Sequence, residues 1–370
     1  MTDNAASFDM IETPALLIDR PQMMRNISMM ADFATDAGVV LRPHFKTSKM
    51  IEVARLQLQA GAVGFTCATL AEAQELLAAG INDVFWANAP SSRAKARFVA
   101  EANLTARVAV GVDSVELSAV LSEAAVDAGA EIPVILEIDT GLARTGVLPA
   151  RAADVAADIA ALPGILLDGV YMHEGQLASI TGDRNEVVAA GVRASSTLVA
   201  VAEQLRESDH AISVVSVGST PGWESAPRVT GVTEARAGTY VFFDANQLRL
   251  GSALSAQCAL TVLSTVVSSP APDRRVIDAG IKAMSSDRSN RGDTLGLVTA
   301  PAGVLADNIV FERAYEEHGI LNGTGIDALG FGNRVRIIPN HACGVVNMFS
   351  RVHVVDGNEV VGIWNPVGRH

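Results

Sequence analysis

Aromatic residues are scarce in this chain, at 5%, so its core cannot be built on large rings and must come from small aliphatic side chains. Cysteine is nearly missing. Cys67, Cys258 and Cys343 are too few and too scattered for a disulfide framework. No apolar run approaches the roughly 18 residues of a membrane span, and the opening MTDNAASFDM has neither the basic start nor the apolar segment of a secretory signal. Positive charge is also short. With 28 basic against 41 acidic residues the net charge is −13, and no basic cluster is large enough to follow a phosphate backbone. Nucleic-acid and membrane partners are therefore set aside. The expectation is a cytoplasmic enzyme with reduced thiols and a small-molecule substrate.

What is present is alternation. From residue 14 to about 244, β-branched runs such as VVLRP (39–43), VGFTCAT (63–69), DVFWAN (83–88), RVAVGVD (107–113), PVILEID (133–139), LLDGVYMH (166–173) and ISVVSVG (212–218) are separated by alanine-rich helical stretches. Continuous apolar runs fit parallel strands covered on both faces. Strand–helix repeats of this number predict a closed (β/α)8 barrel of the TIM type over residues 14–250. After residue 250 the helical pattern fades and valine-rich runs take over, with a hairpin signal at Val355-Asp356-Gly357-Asn358. A mainly β domain is expected over 251–370, joined by the N-terminal strand (about residues 1–20).

Chemistry concentrates at strand ends. RPHFKTSK (42–49) follows the first barrel strand, and active-site groups of such barrels sit at the C-terminal ends of strands. An amine at Lys46, with other cations near it, is suited to forming a Schiff base. The bland alternative is a solvated basic loop. Val217-Gly218-Ser219-Thr220 and Ala237-Gly238-Thr239-Tyr240 each offer backbone N–H groups and hydroxyls after a strand, as a phosphate monoester requires. Lysine and phosphate turns together describe a pyridoxal phosphate pocket.

The same segments resemble the fold-type III pyridoxal phosphate enzymes, within them the D-threonine aldolase and D-serine dehydratase family. RPHFKTSK, GFTCATLAEAQELLAAG, EIDTGLARTGV (137–147), VGSTPGW (217–223), EARAGTYVFFD (234–244), VIDAGIKAMSSD (276–287), EEHG (316–319) and PNHAC (339–343) occur in the family's order over nearly the whole chain. The resemblance implies an alanine-racemase-like barrel with Lys46 as the cofactor-linking lysine. It implies Arg144 near the cofactor ring, and Gly218, Ser219, Thr220, Gly238, Thr239 and Tyr240 at its phosphate. His44 and His173 would move protons, and Arg42, His44 and Lys49 would help hold anions. His318 reads as structural. A salt bridge from Arg144 to Glu137 or Asp139 is the bland alternative, as is a satisfied strand-end histidine at His173. Two departures stand out: KTSK where many relatives have KTHK, and Glu174 in YMHEGQ, either a substrate-selecting or proton-transfer group or a plain strand-end charge; a carboxylate in the pocket would disfavour acidic substrates such as 3-hydroxyaspartate.

His341 and Cys343 are two residues apart, and on an extended segment both side chains would share one face. Imidazole and thiolate suit zinc, although the spacing alone does not define a site. The resemblance implies a divalent metal here, zinc first, with manganese and magnesium as alternatives. A β-hydroxy-D-amino acid could then lose its hydroxyl, giving a 2-keto acid and ammonia, or undergo retro-aldol cleavage to glycine and an aldehyde. His-x-Cys resembles the dehydratase branch, since the aldolase branch tends to carry aspartate at the second position. Dehydration leads and aldol cleavage is the alternative. A racemase would leave the His-x-Cys pair without a role, and a non-catalytic cofactor carrier would not need the last 120 or so residues. Enzymes of this plan are commonly homodimers, which is the expected assembly.

Overall fold

In chain order, β1 (Ala15–Asp19) and α1 (Arg20–Ala37) lead into an alternating series. It runs β2 (Val40–Leu41), α2 (Ile51–Gln59), β3 (Phe65–Cys67), α3 (Leu70–Ala78), β4 (Asp83–Trp86), α4 (Arg93–Ala102), β5 (Arg107–Val112), α5 (Val115–Ala128), β6 (Ile132–Glu137), α6 (Ala152–Ala160), β7 (Ile165–Tyr171), α7 (Arg184–Glu207), β8 (Val214–Val217) and β9 (Glu234–Ala235). Helix starts are set by short polar side chains. Thr69, Ser92, Ser114 and Asp183 each accept the backbone N–H three residues on, which satisfies a donor that the first helical turn leaves open. The computed structural model describes residues 8–88, 90–290, 292, 294–300, 303 and 305–369. Residues 1–7 of the expected N-terminal segment lie outside these.

Strands β2 to β9 pair in parallel in the order β2-β9-β8-β7-β6-β5-β4-β3. A parallel bridge between His44 and Thr66 joins the outer two. There the Phe45 N–H donates to the Thr66 carbonyl at 2.8 Å, and the Thr66 N–H to the Pro43 carbonyl at 2.9 Å. The ring is therefore closed, as the alternation predicts. Strands β5 and β6 are buried almost throughout, which accounts for their unbroken apolar sequence. Phe85, Ala109, Ile135 and Tyr171, one from each of β4 to β7, pack together inside.

The second group of elements comprises α8 (Ala245–Arg249), β10 (Leu260–Ala271), β11 (Arg274–Ile277), α9 (Ile281–Met284), β12 (Gly296–Thr299), β13 (Leu305–Ala314), β14 (Gly319–Gly323), β15 (Arg334–Pro339), α10 (Ala342–Met348), β16 (Val352–Asp356) and β17 (Glu359–Trp364). Its sheet runs β11-β14-β13-β12-β15-β10-β1-β16-β17, with β10 also pairing to β11. Strand β10 is 12 residues long. Its first half meets β15 and β1, its second half β11, and this bends six strands into a closed ring. Strand β1 belongs here, antiparallel to β10 and parallel to β16. Leu17, Leu263 and Val355 share a core cluster with Phe8 and Ile11. The β16–β17 hairpin turns at Gly357, whose φ of +58° suits glycine.

The chain divides into two compact units. One holds the segment through Ser28, Thr47–Met50 and Thr239–Pro366; the other holds Met29–Lys46, Ile51–Gly238 and the residues from Val367. Among the described residues, no helix is long and apolar enough to cross a membrane.

Candidate active site

In the barrel unit, Lys46 follows β2, and its backbone N–H points at His44 Nδ1 at 3.4 Å. The loop after β8 is built around Gly218. Its carbonyl bonds His173 Nδ1 at 2.6 Å and its N–H donates to Glu174 Oε2 at 3.2 Å. A side chain at 218 would meet Arg236 Cβ at 2.8 Å, so the approach requires glycine. Next in the chain, Thr220 Oγ1 is buried without a hydrogen-bond partner, and the buried Ser219 hydroxyl meets the Glu174 carboxylate. A buried hydroxyl donor at a strand end is rarely left without an acceptor. The two hydroxyls fit a phosphate monoester. Gly238 and Tyr240 are buried, while Thr239 opens a short helical turn, Thr239–Val241.

Titration follows from burial here. His173 falls from 6.5 to about 3, first because burial penalises its cation and then because the charge of Lys46 opposes it. A carbonyl only accepts, so the neutral ring carries its proton on Nδ1. Glu174 is fully enclosed, and burial holds its carboxyl above the usual range against the pull of backbone N–H groups and Arg236. Its Oε2 accepts from the Gly218 N–H. Glu137 is likewise raised by burial, although Tyr171 and Thr145 donate to it at 3.0 Å.

One basic residue departs from expectation. Arg42 does not hold an anionic ligand. Its buried guanidinium pairs with Glu234 at 2.7 Å and Asp83 at 2.8 Å, the residues that open β9 and β4, and that end of a barrel serves stability. Lys49 is buried with φ +50°. Arg144 is exposed in the loop after β6. Neither candidate salt-bridge partner is used that way, since Glu137 takes the two hydroxyls above and Asp139 takes the N–H groups of Gly141 and Ala143. His318 is exposed at the β13–β14 turn.

Sequence reasoning missed Arg236. Its guanidinium is buried, donates to Ser216 Oγ at 2.5 Å and to the Met172 carbonyl at 2.6 Å, and lies 5.1 Å from the Tyr171 ring centre. The available signal was one arginine among small residues in EARAGTY.

In the β unit, His341 and Cys343 are close but not on a strand. Strand β15 ends at Pro339, His341 caps α10, and Cys343 lies in its first turn, so the period-two argument for a shared face does not apply. What brings them together is the cap. Cys343 Sγ is 3.2 Å from Thr47 Oγ1, the residue after Lys46, and 3.8 Å from Thr239 Oγ1. The Cys343 thiolate raises His341 to about 11 against the penalty of burial, helped by Asp287. Asp287 Oδ2 bonds His341 Nδ1 at 3.1 Å. Among the described residues no group of three His, Cys, Asp or Glu side chains is arranged to hold a metal ion. The donor pair itself, one imidazole and one thiolate, has the softness that zinc prefers.

A closed (β/α)8 barrel with a lysine after its first strand and buried hydroxyls after the strand before the last defines a class, that of barrel enzymes built for a phosphorylated cofactor. Comparison with known proteins agrees. The family described as "Alanine racemase, N-terminal domain" matches residues 18–246, and "Putative serine dehydratase domain" matches residues 259–355. A D-threo-3-hydroxyaspartate dehydratase from Delftia sp. (strain HT23) is 36% identical over 96% of this chain and 97% of its own. A D-threonine aldolase from Arthrobacter sp. is 30% identical over 96% of this chain and 92% of its own. A solved structure of D-threo-3-hydroxyaspartate dehydratase, a cysteine-to-alanine variant in the metal-free form, is 32% identical with a TM-score of 0.92, covering 98% of this chain and 99% of that one. The chain belongs to the fold-type III pyridoxal phosphate family, in the branch of D-3-hydroxyaspartate and D-serine dehydratases and D-threonine aldolases. It is a lyase of that branch.

Proposed function

We propose that this protein dehydrates a 3-hydroxy-D-amino acid, of the D-serine or 3-hydroxy-D-aspartate type, to a 2-keto acid and ammonia, using pyridoxal phosphate and a divalent metal. The observation that carries dehydration over aldol cleavage is the imidazole–thiolate pair of His341 and Cys343. The strong overall likeness to a D-threo-3-hydroxyaspartate dehydratase supports it.

Pyridoxal phosphate, when bound, supplies an electron sink for charge released at Cα, and a divalent metal supplies Lewis acidity toward a hydroxyl leaving group. The chain's own residues do the rest. Lys46 Nζ links the cofactor and takes the α-proton. Ser219, Thr220, Gly238, Thr239 and Tyr240 form the phosphate seat, and Arg144 lies toward the ring. His44 and His173 are the histidines placed for proton movement, and His173 also holds the Gly218 carbonyl through Nδ1. His341 and Cys343 hold the metal, zinc first, with manganese or magnesium as alternatives. Loss of the hydroxyl as water and hydrolysis of the released enamine then give keto acid and ammonia. The free thiols of all three cysteines accord with a cytoplasmic setting. We also propose a homodimer, in which a second copy covers the outer strand β17, where Val361 and Ile363 are about half exposed.

Product analysis with D-serine, D-threo-3-hydroxyaspartate, D-threonine and their L-forms, with and without EDTA, tests the reading. Keto acid and ammonia from a D-substrate are expected, lost with the chelator and restored by zinc. Glycine and an aldehyde would replace this reading by the aldolase one.

A further inference from the structure

We propose that Asp287 is the positioning residue of the His341–Cys343 centre: it fixes the His341 ring through Nδ1, so that only Nε2 is presented to a divalent metal. This rests on the metal reading above. The distance from His341 Nδ1 to Asp287 Oδ2 is 3.1 Å. A carboxylate has no proton to give in its ionised form, so Nδ1 is the donor, and a metal would meet Nε2 once that nitrogen gives up its own proton.

An ordinary surface ion pair would need no preparation of the backbone, and this one has it. Ser285, which ends α9, is held at φ +61°, a region non-glycine residues rarely occupy and which marks functional turns. From there its hydroxyl donates to Asp287 Oδ2 and accepts the Asp287 N–H, both at 3.2 Å. On the other side, Gly344 directly follows Cys343. A side chain there would lie 2.6 Å from Asp287 Oδ2 and 3.1 Å from Ser285 Oγ, so it would press the carboxylate away from its present position. The flanking backbone is tied as well. Asn340 Nδ2 donates to the Asp287 carbonyl at 3.0 Å, and the Ala342 N–H donates to buried Asp244 at 3.1 Å. Ring, carboxylate and backbone are thus each held by a separate contact, the arrangement by which a second carboxylate orients a metal-binding histidine.

The test is zinc affinity of the pyridoxal phosphate-loaded protein, measured by competition with a chromophoric chelator and independent of turnover. Wild type is expected to bind one equivalent. D287A is expected to bind roughly 10- to 100-fold more weakly, while D287N, whose amide oxygen still accepts from Nδ1, stays within a few-fold of wild type. G344A, which leaves Asp287 in place but pushes it off the ring, should weaken binding in the same direction as D287A and guards against a folding defect in either variant. Wild-type affinity in both D287A and G344A overturns the inference. Equal losses in D287N and D287A would make Asp287 a direct ligand and overturn it too. A wild-type protein that takes up no zinc, manganese or magnesium would overturn the metal reading itself, and this inference with it.

Discussion

Thr220 buries a hydroxyl oxygen without a hydrogen-bond partner, and such a group costs about 1–3 kcal/mol, while the Ser219 hydroxyl meets Glu174. Replacing both with alanine should leave the cofactor-free protein about equally stable in urea. Cofactor affinity should fall roughly ten- to hundredfold for each lost hydroxyl, since bonds to a charged group contribute about 1.5–3 kcal/mol. A merely structural pair would show the opposite, lower stability with unchanged cofactor binding. His173 makes a second prediction. Its folded pKa of about 3 lies below the 6.5 of an unperturbed histidine, so in the window between them the unfolded chain takes up a proton and the folded one does not. Stability should therefore fall as pH drops from about 6.5 toward 3, and be untouched by this group above it. H173N keeps a donor to the Gly218 carbonyl and should show a shallower decline in urea midpoints between pH 7.5 and 5. Lys46 was legible because a strand end and its charge can be read in one dimension. Arg236, Glu174 and Asp287 were not, because their partners lie 64, 44 and 54 residues away.

At the scale of elements, the barrel strands were readable because burial on both faces leaves a continuous apolar run, whereas the His-x-Cys segment misled. IIPNHACGVV reads as extended: it has two isoleucines before and two valines after, and Gly344 is a poor helix former. It turns into α10 because Pro339 ends β15 and buried Asp244 takes the Ala342 N–H. A contact 98 residues away overrides local preference. The barrel itself depends on close backbone passages. At Gly169 in β7 a Cβ would lie 2.3 Å from the Val214 carbonyl oxygen of β8, and backbone cannot yield as a side chain can. G169A should destabilise the protein by about 1–3 kcal/mol or more, seen as a lower urea midpoint. The same substitution at Gly38, where nothing lies within 4 Å, should cost less, through its positive φ alone.

At the scale of the whole molecule, the nine-stranded sheet ends in β17, an outer strand that alternates exposed and half-buried residues along its length. Exposed strand edges invite pairing or need covering. Sedimentation equilibrium should return twice the 38.6 kDa chain mass. A monomer at micromolar concentration would sink the dimer reading and leave Val361 and Ile363 without a covering surface. Charge acts at this scale as well, because a net −13 makes local cations such as Lys46 and Arg236 exceptions that must be placed individually.

By itself the sequence determined the alternating barrel and the β-rich remainder, written in local periodicity, and it offered the lysine segment and the proposed phosphate turns as contiguous motifs. Only the tertiary structure decided that Arg42 braces the strand starts, that Glu174 bonds the Gly218 loop, and that Asp287 stands behind His341. The direction of a buried charge is set by whichever partner folding brings within about 3 Å, and no local pattern encodes that.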